Sequence, residues 1–261
     1  MFSRTILQRL LVISVFYLVF VGVDPTRAYD NEDDERIVGG VQMDIEDVPY
    51  QASLHMDGSI FCGGSVLRPH IILTASHCFV GVSSARGMTV RAGSSYPNKG
   101  GQVLRVKQFI RHPQFSKDTL DFDVAIVYME GSFRDPAIKQ IKLSSSWSNY
   151  NADRMGTVSG FGMIRNNGEL ATHLLGVNVP IIDWNRCERI YRSKSFSRRM
   201  FCAGYPGGKK DACTGDSGGP FVLNRELVGI VSWGVGCADG RYPGVYTNVL
   251  EVKDWIKSHI K

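Results

Sequence analysis

Hydrophobic positions along the chain fall into three regimes. At the amino terminus, Arg4 and Arg9 precede a predominantly apolar run from Leu10 to Val23. A membrane-spanning helix needs roughly 18 such residues, so the run is too short to span. A short apolar stretch behind a basic start, ending near small residues, reads as a secretory signal peptide over residues 1–28, cut near Ala28. Past residue 37 the apolar residues gather into short segments punctuated by glycine, proline and asparagine. Examples are Gln51–His55, Ile71–Ala75, Thr89–Ala92, Val103–Ile110, Val124–Tyr128, Thr157–Phe161, Leu227–Trp233 and Gly244–Asn248. This spacing predicts an all-β fold, a sandwich or barrel, and not alternating βαβ units. Only two stretches carry helical signals. One is Trp184–Tyr191, with Asp183 placed to cap it. The other closes the chain over residues 249–260, where Val249, Val252, Ile256 and Ile260 recur at helical spacing. A polar stretch from Ser144 to Asp153 falls near the middle of the remainder and is the candidate connection between two β-domains.

Composition changes this picture little. The 261 residues are 43% hydrophobic and 21% charged with a net charge of +5, which is ordinary for a globular chain. Basic residues are scattered, which speaks against a nucleic-acid partner or a stable membrane association. Six cysteines, Cys62, Cys78, Cys187, Cys202, Cys213 and Cys237, imply disulfides in a secreted chain, although spacing leaves their connectivity open. A zinc site is disfavoured, because no C-x-x-C pair and no H-E-x-x-H occur. No metal and no cofactor is expected.

The densest chemical signal is TGDSGGP, Thr214–Pro220. Ser217 stands among Gly215, Gly218 and Gly219, where backbone can approach a substrate that side chains would block. A serine hydroxyl needs a base to become a nucleophile. The stretch also satisfies G-x-S-x-G, but in the α/β-hydrolase arrangement the acid and histidine follow the serine. The short remainder after Ser217 offers Asp239, Asp254 and His259, and helix–strand alternation is missing. Upstream, TASHC places His77 beside Cys78, where a disulfide would hold a general base firmly. DFDVAIV offers Asp123, with Asp118 and Asp121 as competitors that chemistry alone does not separate.

RIVGG, TASHC, DVAI, GDSGGP, VSWG and PGVYT occur in order across residues 36–247. Together they resemble the trypsin branch of the chymotrypsin-fold serine proteases, over the whole of residues 37–261. The resemblance implies two six-stranded antiparallel β-barrels, about 37–143 and 154–248, with the terminal helix behind them. It implies His77 as general base, Asp123 as its orienting partner and Ser217 as nucleophile. The backbone N–H groups of Gly215 and Ser217 would form the oxyanion hole. It also pairs Cys62–Cys78, Cys187–Cys202 and Cys213–Cys237, a reduced set that is similar to invertebrate members. Asp211 would lie at the base of the primary pocket beside Ala212, with Ser232, Trp233, Gly234 and Gly244 along its walls and edge. That arrangement implies cleavage after arginine or lysine, arginine preferred because Ala212 supplies no hydroxyl for a lysine ammonium. In the DDERIVGG stretch, cleavage after Arg36 would free the α-amino group of Ile37 to pair with Asp216, so residues 29–36 read as an activation peptide. The loop GSSYPNKGGQ lacks the glutamates that hold calcium in vertebrate trypsins. The expected protein is a secreted monomeric endopeptidase with a digestive role, acting on proteins and peptides, activated by a trypsin-like protease and open to protein inhibitors. An inactive homologue that only binds partners is the competing reading, and the presence of both Ser217 and His77 speaks against it.

Overall fold

The computed structural model describes residues 40–163, 169–192, 196–205, 207–208, 215–236 and 239–260, all within one compact unit formed by residues 34–261. A two-residue strand, β1 (Val41–Gln42), comes first. The next six strands are β2 (Gln51–Met56), β3 (Ser59–Arg68), β4 (Ile71–Thr74), β5 (Met88–Ala92), β6 (Gln102–Arg111) and β7 (Ala125–Met129). They close into an antiparallel barrel in the order β2-β3-β4-β7-β6-β5. Then follow β8 (Lys142–Leu143), β9 (Met155–Gly160), β10 (Leu175–Ile182), helix α1 (Trp184–Ile190), β11 (Met200–Ala203), β12 (Pro220–Leu223), β13 (Glu226–Trp233), β14 (Gly244–Asn248) and helix α2 (Lys253–His259). Strands β10, β11, β14, β13, β12 and β9 pair in that order, and β9 pairs again with β10, closing a second barrel. The all-β, two-barrel architecture is therefore the one the motifs imply.

Closure removes the exposed strand edges that would otherwise invite aggregation. Each barrel fills with its own inward-facing residues: Leu54, Val66, Ile72, Phe79, Val90 and Val127 in the first, Val158, Val179, Phe201, Phe221, Val228 and Tyr246 in the second. A third cluster joins the barrels. Leu67, Leu73, Val124 and Ile126 of the first meet Val222, Leu227 and Ile230 of the second, with Ile256 of α2 covering them. Burying such side chains contributes about 1.5–3 kcal/mol each. Two short strands pair across the sequence boundary: β1 with β10 and β8 with β13.

Helix α1 is capped as its sequence predicts, with the Arg186 amide donating to Asp183 Oδ1 at 3.0 Å. The closing helix is shorter than its apolar periodicity: it begins at Lys253, and Val249 and Val252 are buried in the turns leading into it. Disulfides join Cys62 to Cys78 and Cys187 to Cys202. The expected Cys213–Cys237 pair lies outside the described residues.

Candidate active site

Where β4 ends, the chain passes through Ala75 and Ser76 into a single 3-10 turn, His77–Phe79. Phe79 is fully buried and stacks on Phe109 with ring centroids 4.2 Å apart, while Cys78 is tied to Cys62 in β3. His77 is thus fixed from both sides, by an aromatic anchor and a covalent one, yet its side chain keeps 23% of its surface exposed.

Asp123 is 0% exposed and lies just before β7. Its Oδ1 accepts the His77 backbone N–H at 2.8 Å, and its Oδ2 accepts from His77 Nδ1 at 2.7 Å. An ionised carboxylate only accepts, so Nδ1 carries the proton and Nε2 is left as an acceptor. A third donor, Ser232 Oγ in β13, reaches Oδ2 at 2.5 Å, and Thr247 Oγ1 in β14 donates to the Asp123 carbonyl at 2.9 Å. Ser76 Oγ also donates to the Val124 carbonyl at 2.7 Å, stitching the two segments together.

The three competing aspartates separate cleanly. Asp118 is exposed on the β6–β7 loop. Asp121 accepts from Arg199 Nε and Nη2 at 2.8 and 2.6 Å and from Ser197 Oγ at 2.7 Å. Burial alone would raise its carboxyl, but the bonds from Arg199 and Ser197 prevail and hold it below the usual carboxylate range. Only Asp123 is joined to His77. The alternative acid and base after Ser217 are engaged elsewhere: Asp239 pairs with Arg241 at 2.9 Å, and His259 Nδ1 lies 2.8 Å from the Trp255 carbonyl within α2.

Ser217 sits in the turn before β12. Its carbonyl accepts from the Gly63 amide of β3 at 2.8 Å, and the next amide, Gly218, donates to the Val231 carbonyl at 2.8 Å. Gly218 has φ +80°, and a Cβ there would meet Thr74 Oγ1 at 2.0 Å and the Gly63 carbonyl at 2.8 Å. Any other residue would push this turn away from β3 and β4, so the glycine is a packing requirement. Among the described residues, neither the Gly215 nor the Ser217 amide donates to a backbone carbonyl. Asp216 is fully buried with Oδ1 accepting the Gly162 amide at 2.8 Å. Gly160 and Gly162 wall its carboxylate, since a Cβ at either would fall within 2.5 Å of it.

Trp233 packs edge-on against Tyr191 with centroids 4.7 Å apart, and Gly244 starts β14 opposite Ala203. A Cβ on Gly234 would meet nothing closer than the Gly236 carbonyl at 3.5 Å, an ordinary contact. Asp211, Ala212, Arg36 and Ile37 lie outside the described residues. The sulfurs of Cys62 and Cys78 and a ring nitrogen of His77 lie within 4.8 Å of one another. Both sulfurs are committed to a disulfide, so this group offers no thiolate pair to a metal.

The family model for trypsin matches residues 37–256. The chain belongs to the trypsin family. It is 42% identical over 226 residues to trypsin 5G1 of Aedes aegypti, covering 85% of this chain and 84% of that protein. Identity is again 42% over 229 residues to trypsin epsilon of Drosophila erecta, covering 86% and 87%. It is 41% over 218 residues to a trypsin of Simulium vittatum, covering 81% and 87%. The protein is accordingly a trypsin-like serine endopeptidase, a hydrolase of peptide bonds. Among the described residues, no helix is long and apolar enough to cross a membrane.

Sequence reading assigned Ser232 to the substrate edge and did not foresee its hydroxyl on Asp123. Thr247 was not singled out at all. The only available signal is positional: both lie in motifs, VSWG and PGVYT, whose other residues carry the resemblance.

Proposed function

We propose that this trypsin-family protein is a secreted zymogen, activated by cleavage after Arg36, that hydrolyses peptide bonds after arginine in preference to lysine in a digestive setting. His77 Nε2 takes the Ser217 Oγ proton as the oxygen attacks the scissile carbonyl carbon. Asp123 holds the imidazole in the required tautomer and balances the charge of the imidazolium. The oxyanion of the tetrahedral intermediate takes hydrogen bonds from the Gly215 and Ser217 amides, a contribution of about 3–4 kcal/mol for one such donor. His77 then protonates the leaving amine, and water repeats the sequence on the acyl-enzyme. Asp211 supplies the negative charge that a cationic side chain neutralises, since a carboxylate in an apolar slot is costly alone. After the activating cut, the Ile37 ammonium would pair with buried Asp216 and set the oxyanion turn.

The observation that carries this reading is the 2.7 Å bond from His77 Nδ1 to a fully buried Asp123, next to Cys78, whose Sγ lies 3.9 Å from the Ser217 carbonyl. The test is covalent labelling by a serine-directed phosphonate before and after cleavage at Arg36, with the labelled residue located by mass spectrometry. Labelling of Ser217 only after the cut, and none in His77→Ala, supports the reading. Equal labelling of an uncut Arg36→Gln protein would defeat its zymogen half. Cleavage of a peptide library after residues other than arginine and lysine would defeat the assignment of Asp211.

A further inference from the structure

The loop from His112 to Val124 carries Asp123 and is held in a form its sequence does not favour alone. Leu120 and Phe122, neither a glycine, have φ +54° and +53°, in the left-handed region that residues with a branched or bulky side chain rarely adopt. Something must hold that turn. Its base is closed by the His112 amide, which donates to the Val124 carbonyl at 3.0 Å. The His112 ring lies flat on Phe122, centroids 4.5 Å apart and planes 13° apart, and leans on Trp255 of α2 at 4.8 Å. Its Nδ1 accepts the Gln114 amide at 3.2 Å. The ring therefore keeps its proton on Nε2 in the neutral form. From the second barrel, Arg199 grips Asp121 and places its guanidinium 4.4 Å from the Phe122 ring centre.

We propose that His112 is a positioning residue for Asp123, on the reading of the triad given above. Neutral His112 keeps the strained 120–123 turn in the form that presents the carboxylate to His77, and protonated His112 releases it. A second proton on Nδ1 turns the acceptor for Gln114 into a donor facing a donor. It also brings a second cation to a Phe122 ring already occupied by Arg199. The residue is only 7% exposed, so water cannot relieve either conflict. The titratable and charged groups facing His112 are Asp121 on its own loop, Arg199 ahead of β11, and His259 on α2. Burial lowers the His112 pKa, His259 lowers it further, Asp121 works in the opposite sense, and Arg199 lowers it again. His112 is thus neutral through the neutral range and protonates in acid.

The consequence is a pH–activity profile with two titrating steps on its acid side. One proton on the general base alone gives a tenfold fall in kcat/KM per pH unit. The test uses the activated full chain on one neutral arginyl peptide, each profile normalised to its own plateau. Phosphonate labelling of Ser217 at pH 8 and near-UV circular dichroism at every pH accompany it. Wild type is expected to fall more steeply than tenfold per unit once His112 titrates, whereas His112→Gln, which cannot titrate, keeps the tenfold slope. His259→Gln, remote from the substrate, removes one positive neighbour and should move the steep section to higher pH. Superimposable profiles for all three proteins would overturn the proposal, as would a steep section that coincides with loss of the near-UV signal. Absence of Ser217 labelling in wild type at pH 8 would instead strike the triad reading itself.

Discussion

Removing the Ser232 hydroxyl isolates the contribution of one donor to a carboxylate that has no access to water. Asp123 takes three hydrogen bonds through its side chain, from the His77 amide, His77 Nδ1 and Ser232 Oγ, at 2.8, 2.7 and 2.5 Å. In Ser232→Ala the carboxylate stays fully buried but loses the shortest of them. A hydrogen bond to a charged group is worth about 1.5–3 kcal/mol, and nothing replaces it inside a packed site. The missing oxygen leaves a gap too small for water, so no compensation comes from solvent. For a chain of this size that corresponds to a melting temperature lower by roughly 3–12 °C. The comparison is best made by urea denaturation in a Ser217→Ala background, where self-digestion cannot distort the transition. Unfolding midpoints that coincide with and without the Ser232 hydroxyl would show that this bond contributes nothing net, and the account of Asp123 as a donor-limited buried charge would fail.

Asp121→Asn should cost about 1 kcal/mol at pH 7, a figure already reduced for the partial exposure of the Arg199 pair. Because the folded carboxyl is held below its unfolded value, that difference is present above about pH 4 and vanishes as pH falls through the folded value; denaturation curves at pH 7 and pH 3 check it. His55 shares a 2.9 Å bond with Ser53 Oγ, and burial lowers its pKa, opposed by the bond its ring donates to the Gly58 backbone and reinforced by Arg91. The folded state then binds this proton less readily than the unfolded one, so its contribution is lost as pH falls below about 6.5, and His55→Gln should flatten the stability curve there. The loop over residues 93–102 is closed by protein cations, Arg91 Nη1 on the Gly100 carbonyl and Lys99 over the Tyr96 ring at 4.0 Å. A chelator should leave the melting temperature unchanged, and a drop restored by calcium would refute this. Ala212→Ser should narrow an arginine preference of about tenfold by improving lysine peptides, read from kcat/KM on matched substrates.

Much of the architecture was legible because short apolar segments between turn residues point to an all-β fold, while closure into two barrels was implied only by the motif resemblance. The segments hardest to read are those whose local chemistry opposes their tertiary fate. Strand β3 contains Gly63 and Gly64, which locally signal a turn. Both are required because the Ser217 loop and β4 press against them: a Cβ on Gly63 would meet Gly219 Cα at 3.0 Å, and one on Gly64 would meet Ile72 Cγ2 at 2.7 Å. Strand β10 carries Pro180 near its end, and its pairing with β1, β9 and β11 identifies it as strand. Val249 and Val252 fit a helical period yet are buried by the barrel seam, because burial needs a direction and not a helix. At the site, Asp118, Asp121 and Asp123 are chemically equivalent in sequence. The D-V-A-I match selects Asp123, whereas the Arg199 contact that engages Asp121 comes from far along the chain and no local pattern encodes it.

The two barrels hold each other's chemistry. Asp123 belongs to the first barrel, yet Ser232 and Thr247 of the second fix its carboxylate and its carbonyl. Ser217 belongs to the second, yet its carbonyl is held by Gly63 of the first, and its neighbour Gly218 fits only against Thr74 of β4. Neither barrel alone fixes both His77 and Ser217. A shift at the seam would disturb both sets of bonds, because each crosses the interface. Hydrogen bonds of this kind lose strength steeply once distance and angle depart from their optimum. The apolar cluster between the barrels therefore does more than stabilise the fold: by setting the relative position of β3 and β13 it sets the geometry between His77 and Ser217. This is why a chain with two separately closed cores places its reactive groups at the one surface where the cores must agree.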